Sequence, residues 1–392
     1  MSLLFLFKKI FFFLKIIFKN KLEITKLEKI DILIWGKPGF INILKEKSFK
    51  YLNNKKIYYL NIWGEKYNLL IIIKCILNLR FTLLDYTNEY IKALKPAIIL
   101  SFLDNYSTFY LIKKNKTQKK ILIQSATRSN ENKIFNFKKA DNLNDVDYLF
   151  CHNKNIKKVY QKVTRAKIVI IGSFISNNVN IELDKKKFNI LYISTFRFNK
   201  DDPIIDKKIK LSDYNNSEKK LIQYVAKYCS KHNIKLNILL TPKPYTEIEK
   251  KFFIDTLTEN NNWRFLIRRQ NDYKYPYNMV DKAKVVIGID STLLYESFSR
   301  GIKTIFFDIR PYNKYLFKNR HFGWPKKFSS SGPFWTNKLD YKNVHNLILN
   351  VSKLSHKKWS FLNEKYKFEL MNYDKKNKIF KRTLLKYLMS QK

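Results

Sequence analysis

The chain has 392 residues, and its 77 Lys and Arg against 32 Asp and Glu give a formal net charge of +45. With 45% hydrophobic and 16% aromatic residues, it is long and apolar enough for two globular domains, which excludes a small disulfide-stabilised module and a disordered acidic tail. Gly (8) and Pro (9) are scarce while Lys, Asn, Ile, Phe and Tyr are abundant, a bias typical of A/T-rich codons. We therefore interpret most of the charge as genome composition and expect no specific nucleic-acid partner.

The first 20 residues, MSLLFLFKKIFFFLKIIFKN, predict an amphipathic basic segment over residues 1–25. No stretch reaches the roughly 18 uncharged apolar residues of a spanning helix. On a helical wheel a broad apolar face lies opposite four lysines that fall within about 40° of one another: Lys8, Lys15, Lys19 and Lys26. We expect peripheral membrane contact through residues 1–22, where apolar burial and attraction to anionic lipid add. The alternatives are a secretory signal peptide, which the lysines disfavour, and a helix packed on the protein.

Short apolar runs recur between helical stretches along most of the chain. Most are continuously apolar rather than alternating, as in strands buried on both faces of a parallel sheet. The predicted strands are 31–35, 57–62, 97–102, 120–124, 147–151 and 167–172, then, after a polar segment at 176–187, 188–194, 235–240, 263–267, 284–289 and 303–308. Helices are predicted at 67–79, at 155–164 and from a capping box at 246–249 to about residue 260.

This alternation predicts an α/β fold with two Rossmann-like domains that face a cleft. The first domain covers 26–180, the second 188–340, and helices follow at 341–392. Three cysteines, Cys75, Cys151 and Cys229, lie far apart without metal-binding spacing, so we expect a reducing compartment and neither a disulfide framework nor a zinc site.

The most specific segment is 284–308, KVVIGIDSTLLYESFSRGIKTIFFD. A buried strand ends near Gly288, and Asp290, Ser291 and Thr292 then open a helix. The free N–H groups and dipole at a helix start favour an anion, and the hydroxyls donate well to phosphate. Glu296, one turn further on, could accept hydrogen bonds from a ribose diol. The alternative is that Ser291 merely caps the helix and Glu296 is solvated.

This segment and others resemble known families. The second half is similar to the donor-binding domain of GT-B glycosyltransferases, glycerophosphotransferases and sugar-nucleotide 2-epimerases. The chain resembles bacterial surface-carbohydrate (capsule and lipopolysaccharide) biosynthesis proteins more closely. This resemblance rests on WGEKYN (63–68), SFLDN (101–105), IQSATRS (123–129), IGSF (171–174) and IGIDSTLLYES (287–297).

The resemblance implies a GT-B-like enzyme that transfers a sugar or related group from a nucleotide-sugar to a glycan or lipid-linked acceptor. It implies no cofactor besides that donor, and a cytoplasmic location with peripheral contact at the inner face of the membrane. Asp290, Ser291, Thr292 and Glu296 would hold the donor. Many relatives carry His-Pro after the strand at 235–240, but this chain has TPKPY (241–245), where Lys243 would contact the donor phosphate. Similarly, Gly-Ile-Lys at 301–303 replaces the usual Gly-x-Pro.

Acidic residues after first-domain strands are candidate bases. Asp104 follows the strand at 97–102, and a carboxylate facing the cleft there can deprotonate an acceptor hydroxyl in an inverting transfer. Glu65 in WGEKYN is the rival base. The alternative is that Asp104 caps the helix that begins near residue 106.

Cations after strands could offset the charge of the departing phosphate. Arg128 follows the strand at 120–124 and Arg197 follows that at 188–194, so both would point into the cleft. The DxD at 145–147 precedes a strand, which favours a metal-independent enzyme. The alternative is that both arginines are ordinary surface cations. An aromatic loop at 321–335 would form a lid or pack between the domains.

Three other functions stay open. A sugar-nucleotide 2-epimerase shares the two-domain cleft, and a noncatalytic scaffold could keep the fold without the His-Pro site. A nucleic-acid-binding protein is disfavoured, because the basic residues are spread along the chain and no helix-turn-helix, RNP or zinc-finger pattern occurs.

Overall fold

The computed structural model describes residues 10–11, 21–36, 41–44, 46–61, 66–128, 146–182, 187–202, 204–206, 209–242, 244–258, 262–269, 272–310 and 322–389. Two predicted site residues, Glu65 and Lys243, lie outside them. So does the predicted amphipathic helix, apart from residues 10 and 11, which are helical.

The N-terminal half is built on a parallel sheet whose strands are the predicted apolar runs. Its strand order is β3-β2-β5-β6-β7-β8, and the central strands are fully buried. The strands of this half, with a separate pair formed by β1 and β4, are β1 (Lys21–Glu23), β2 (Ile32–Trp35), β3 (Ile57–Leu60), β4 (Lys66–Asn68), β5 (Ile98–Ser101), β6 (Lys119–Ile123), β7 (Tyr148–Cys151) and β8 (Lys167–Ile170). The described helices are α1 (Ile41–Leu44), α2 (Leu69–Leu77), α3 (Leu83–Leu94), α4 (Ser107–Leu111), α5 (Lys154–Gln161) and α6 (Phe174–Asn178).

The C-terminal half repeats this architecture with the strand order β13-β12-β9-β14-β15-β16, again parallel. Its strands, with a short antiparallel pair formed by β10 and β11, are β9 (Phe188–Ile193), β10 (Ile204–Asp206), β11 (Ile209–Lys210), β12 (Leu236–Leu239), β13 (Trp263–Leu266), β14 (Ala283–Gly288), β15 (Lys303–Phe307) and β16 (Trp335–Thr336). The described helices are α7 (Leu211–Lys231), α8 (Thr246–Thr256), α9 (Tyr275–Asp281), α10 (Thr292–Ser299), α11 (Tyr341–Lys353), α12 (His356–Leu370) and α13 (Lys378–Met389). Two Rossmann-like units followed by helices confirm the predicted fold class.

One predicted boundary was wrong. Residues 21–23, assigned to the amphipathic segment, form β1 and pair in parallel with β4. Asn68, the last residue of β4, donates its side-chain amide to the Thr25 carbonyl at 2.8 Å, which fixes the chain after β1. Backbone pairing therefore outweighs the helical periodicity at this point.

The last helix returns to the N-terminal half. Phe380, Leu384 and Leu388 of α13 are buried in the same apolar cluster as the strand residues Ile32 and Ile34. This packing ties the C-terminus to the first sheet.

The aromatic loop packs into the fold. Phe322, Phe334 and Trp335 are buried in the C-terminal core, whereas Trp324 joins the core of the N-terminal half. The packing alternative therefore holds for the described part of the loop.

Candidate functional site

The carboxyl ends of the two parallel sheets meet, and hydrogen bonds join them there. Thr127, after β6, donates its backbone N–H to the Thr292 hydroxyl at 3.1 Å, and the two hydroxyl oxygens lie 3.0 Å apart. Ser173, after β8, donates to the Glu296 carboxylate, and both side chains are buried. Ligands of open α/β sheets bind outside the carboxyl ends of the strands, so this edge is the candidate site.

A glycine positions Ser173. Gly172 has a φ of +79°, and a Cβ there would lie 1.8 Å from the Asn372 carbonyl oxygen. Its backbone pairs with Tyr373, so the C-terminal segment approaches closer than any side chain would permit. Ser173 then caps α6 by accepting from the Ser176 N–H at 3.3 Å.

The start of α10 is the predicted anion site. Ser291 is its N-cap residue, partly exposed, and makes no side-chain capping bond among the described residues. The Thr292 hydroxyl, in contrast, already contacts Thr127. Since the helix start favours an anion, Ser291 is the better placed of the two hydroxyls to meet a phosphate.

Glu296 is held by protein donors from both halves. Its Oε1 accepts from Ser173 and, at 3.0 Å, from the Tyr277 hydroxyl. Burial raises the pKa of this carboxyl, and the two hydrogen bonds lower it by less. The alternative of a solvated Glu296 was therefore wrong. A ribose contact from Glu296 would have to use Oε2.

Asp290 lies between two arginines. Arg310 donates to its Oδ1 at 3.0 Å, and Arg197 lies 3.6 Å from its Oδ2. Arg310 is buried and also donates to the Tyr214 carbonyl at 2.7 Å, whereas the Arg197 side chain is 41% exposed. Arg197 thus retains access to a ligand, with Asp290 holding it in place. Arg310, 20 residues after Asp290, was missed because nothing local in the sequence marks this pairing.

Arg268 is a further cation at this edge that the sequence reading missed. It follows β13, and its Nε is buried with no hydrogen-bond partner in the described part of the chain. Burial lowers the pKa of Arg268, while Tyr277, Glu249 and Glu296 oppose that shift. A buried guanidinium N–H without an acceptor is costly, so this group is suited to meet an anionic ligand. Its position directly after a predicted strand was the available signal.

The loop after β12 is fixed by Glu249. The Thr241 N–H donates to both carboxylate oxygens at 3.0 Å, and burial raises the pKa of Glu249. The predicted capping box was therefore wrong. The N-cap residue of α8 is Tyr245, and the Thr246 hydroxyl is buried without a hydrogen-bond partner among the residues described. Glu249 instead holds the loop that carries Lys243.

Asp104 has a different environment from the one predicted. Its side chain is fully buried. Arg128 donates Nε to its Oδ2 at 2.9 Å and a second N–H to Oδ1, the Tyr160 hydroxyl donates to Oδ2, and the Ser125 N–H donates to Oδ1 at 3.2 Å. A base facing the cleft needs a free, accessible oxygen, so the structure contradicts that role. Asp104 is not a helix cap either, since Tyr106 is the N-cap residue of α4.

Arg128 was predicted to offset phosphate charge, but its guanidinium is committed to protein acceptors. Besides Asp104, it donates to the Asn105 side chain at 3.2 Å, and its side chain is 9% exposed. Burial opposes its charge, yet the Asp104 carboxylate more than compensates and raises the pKa of Arg128. This bidentate pair stabilises the loops after β5 and β6 instead of presenting a cation to the cleft.

A buried histidine lies beside this pair. His152 Nε2 is 3.2 Å from the Gln124 carbonyl oxygen, which can only accept, so Nε2 carries the proton and Nδ1 is the lone-pair nitrogen. Nδ1 is buried without a hydrogen-bond partner within the described ranges. Burial lowers the pKa of His152 to about 4, so the ring is neutral at pH 7.

Two searches of the described residues bear on metal and membrane. They contain no group of three or more His, Cys, Asp or Glu placed to hold a metal ion. None of their helices combines the length and hydropathy needed to span a bilayer.

The fold is shared with enzymes of nucleotide-activated substrates. A "putative UDP-N-acetylglucosamine 2-epimerase" from Listeria monocytogenes aligns with a TM-score of 0.55 and 12% identity, covering 93% of this chain and 96% of that one. The wall teichoic acid polymerase TagF, soaked with CDPG, aligns with a TM-score of 0.53 and 14% identity, covering 100% and 99%. The pneumococcal O-GlcNAc transferase GtfA in complex with UDP and GlcNAc aligns with a TM-score of 0.46 and 12% identity, covering 79% of this chain and 61% of that one.

Sequence comparison identifies the family. No curated protein matches the chain. A family profile described as "putative O-antigen biosynthesis protein" matches residues 121–388, which is more than half of the chain. The chain therefore belongs to this O-antigen biosynthesis family and has a GT-B fold.

Proposed function

We propose that this protein transfers a sugar, or a related group, from a nucleotide-activated donor to a glycan or lipid-linked acceptor during surface-polysaccharide synthesis. Family membership supports the process, and lipopolysaccharide is the product class it favours over capsule. The carboxyl edges of the two sheets, which are joined through Thr127 and Thr292, would form the surface on which donor and acceptor meet.

Arg268 carries this proposal. Its Nε is buried and has no hydrogen-bond partner among the described residues. The guanidinium lies in the electrostatic field of Glu296, a residue of the helix whose N-cap is Ser291. A nucleotide phosphate that reached from the start of α10 to Arg268 would accept from this N–H and gain from the helix dipole. Arg197 supplies a second cation, steadied by Asp290. Lys243 would provide a third from the loop that Glu249 holds.

This arrangement lets side chains offset the phosphate charge that develops as the donor bond breaks. Preorganised cations of this kind stabilise the transition state without reorganising. The oxygen of Glu296 not bonded to Ser173 would accept from the ribose. Thr292 would position the start of α10 through its bond to Thr127 rather than contact the donor directly.

The general base is proposed to be Glu65. The buried pairing of Asp104 with Arg128 argues against that residue, and Glu65 in WGEKYN is the rival base that the sequence offers. A carboxylate there would remove the proton of the acceptor hydroxyl as the new glycosidic bond forms.

We place the reaction at the cytoplasmic face of the membrane. Residues 1–20, the part of the predicted segment that precedes β1, combine apolar residues with lysines, the pattern of a segment in the interface of an anionic bilayer. A lipid-linked acceptor would be presented at that surface.

The experiment is a transfer assay with purified protein, an acceptor membrane fraction and labelled CMP-, CDP-, UDP- and GDP-sugars together with CDPG, which was soaked into TagF. Label entering glycan only when the acceptor is present supports a transferase. Conversion of the donor sugar to its epimer without acceptor would instead identify an epimerase. If the folded protein neither binds nor turns over any of these donors, the proposal is contradicted and a scaffold role is favoured.

A further inference from the structure

Exposed apolar side chains concentrate on one face of the N-terminal half. The large hydrophobic residues exposed there define what we call the apolar face: Leu22, Ile24, Leu70, Ile73, Ile76, Leu77 and Leu79. Soluble proteins rarely leave such groups contiguous, because burying them would be favourable. A surface of this kind indicates an apolar partner.

Helix α2 is the centre of this face and is apolar on both sides. Ile71, Ile72 and Cys75 pack into the core. At 100° per residue, Leu70 and Leu77 lie on the opposite side, and Leu77 is 77% exposed. A surface helix ordinarily turns polar residues outward, so core packing alone does not explain this sequence.

The other members of the face are fixed next to α2 by backbone pairing. Leu22 lies in β1, whose partner β4 leads directly into the helix. Asn68, the N-cap residue of α2, donates to the Thr25 carbonyl at 2.8 Å and hydroxyl at 2.9 Å. Ile24, 73% exposed, is therefore held beside the first turn of the helix.

Leu79, the last member of the face, has an unusual backbone conformation. It ends the turn after α2 with a φ of +53° and is 71% exposed. Glycine or asparagine occupies this left-handed conformation at much lower cost than leucine. Neither the turn nor the core requires leucine here, so the fold alone does not explain its outward apolar side chain.

Exposed lysines surround the face. Lys21, Lys66 and Lys74 are all exposed, and α2 itself contains no acidic residue. Glu23 lies 3.9 Å from Lys66, and Asp85 and Glu89 of α3 lie within electrostatic reach of α2. A second copy of a chain with net charge +45 would be repelled, whereas an anionic surface would be attracted.

We infer that the apolar face docks on an anionic bilayer, with α2 at the boundary between head groups and acyl chains. Apolar burial and lysine contact with acidic lipid would act together there. This inference rests on the membrane contact proposed for residues 1–20 and extends it to a folded surface. Ile10 supports that continuity, because it packs on the same core cluster as α2 while neighbouring Phe11 is 72% exposed.

The test is co-sedimentation of the full chain with phosphatidylcholine vesicles, with and without phosphatidylglycerol. The triple variant Leu70→Ser, Ile73→Ser, Leu77→Ser is expected to lower the partition coefficient on anionic vesicles about tenfold or more. Ile254→Ser with Phe361→Ser, two exposed apolar side chains of the C-terminal half, is the matched control and should bind as wild type.

Two further samples keep the result interpretable. Lys66→Glu with Lys74→Glu leaves the apolar residues intact and should also weaken binding to anionic vesicles, most strongly at low salt. A chain lacking residues 1–20 should retain measurable binding that the triple substitution then removes. Nucleotide binding, measured on every sample, should stay unchanged, which separates this inference from the proposed transfer reaction.

The inference would be overturned if the triple variant and the lysine variant both bound anionic vesicles as strongly as the wild-type protein does. So would a wild-type dimer that the triple substitution converts to a monomer without changing vesicle binding, since the face would then join two copies of the chain.

Discussion

Ser173 in the N-terminal half donates a hydrogen bond to the Glu296 carboxylate in the C-terminal half. Tyr277 donates to the same oxygen at 3.0 Å, and the carboxyl group is buried with a raised pKa. The contact fixes the two carboxyl edges against each other where we propose that the donor binds.

Removing this contact should loosen the two halves. Ser173→Ala leaves a buried carboxylate with one donor fewer and removes the cap of α6, so we expect the free energy of unfolding in urea to fall by about 1–3 kcal/mol. Ser329→Ala, which removes an exposed hydroxyl bonded to the Ser331 carbonyl, is the control and should have little effect. Equal stability of Ser173→Ala and wild type would show that the contact does not hold the halves together.

The sequence predicted the central strands of both sheets well because runs such as β2 and β5 are continuously apolar and buried on both faces. The short strands β4, β10, β11 and β16 were not predicted. It also indicated the start of α10, whose Ser291 is the N-cap residue after a glycine-terminated strand. It could not predict β1, because residues 21–23 are mostly exposed and their pairing with β4 is set by backbone hydrogen bonds that leave no apolar pattern.

The side-chain environments of the site depend on partners far along the chain. In the sequence, Asp104 resembles an accessible base. In the structure, its carboxylate is hydrogen-bonded to Arg128, which lies 24 residues later in the chain. Ser173 and Glu296 are 123 residues apart, and no local pattern marks their pairing. Arg268 was detectable as a cation following a strand, but only the packing shows that its Nε has no partner within the described part of the chain.

Replacing Asp104 should damage folding more than chemistry. Asp104→Asn leaves the buried Arg128 guanidinium without its counter-charge, and we expect a loss of roughly 3 kcal/mol or more of stability, measured by chemical denaturation. The double variant Asp104→Asn, Arg128→Met removes both charges and should be more stable than Asp104→Asn alone. Unchanged stability with abolished turnover would restore Asp104 as the base.

His152 should make stability depend on pH. Its folded pKa is lowered to about 4, below the value of about 6.5 in an unfolded chain, so the unfolded state binds the proton first as pH falls. The contribution of the neutral ring is fully present above about pH 6.5 and declines by about 3 kcal/mol down to pH 4. Unfolding should be measured for wild type and His152→Gln across this range. Their difference in stability should shrink as pH falls, and a constant difference would contradict the buried neutral histidine.

Glu65→Gln tests the proposed base. Loss of the proton acceptor should reduce kcat/KM by about 100- to 10,000-fold while nucleotide affinity and stability stay near wild type. Glu247→Gln, at an 83% exposed side chain, provides the matched control. Near-normal turnover of Glu65→Gln would remove Glu65 from the mechanism.

The most direct test of the donor site is nucleotide affinity measured by calorimetry on wild type, Arg268→Ala and Arg269→Ala. Arg269 is the adjacent, exposed arginine, and its guanidinium lies over the Tyr275 ring. The account predicts that wild type binds at least one of CMP, CDP, UDP and GDP, that Arg268→Ala weakens this binding by about 10- to 100-fold, and that Arg269→Ala changes it little. Absence of binding by folded wild type, or equal affinities of all three proteins, would contradict it.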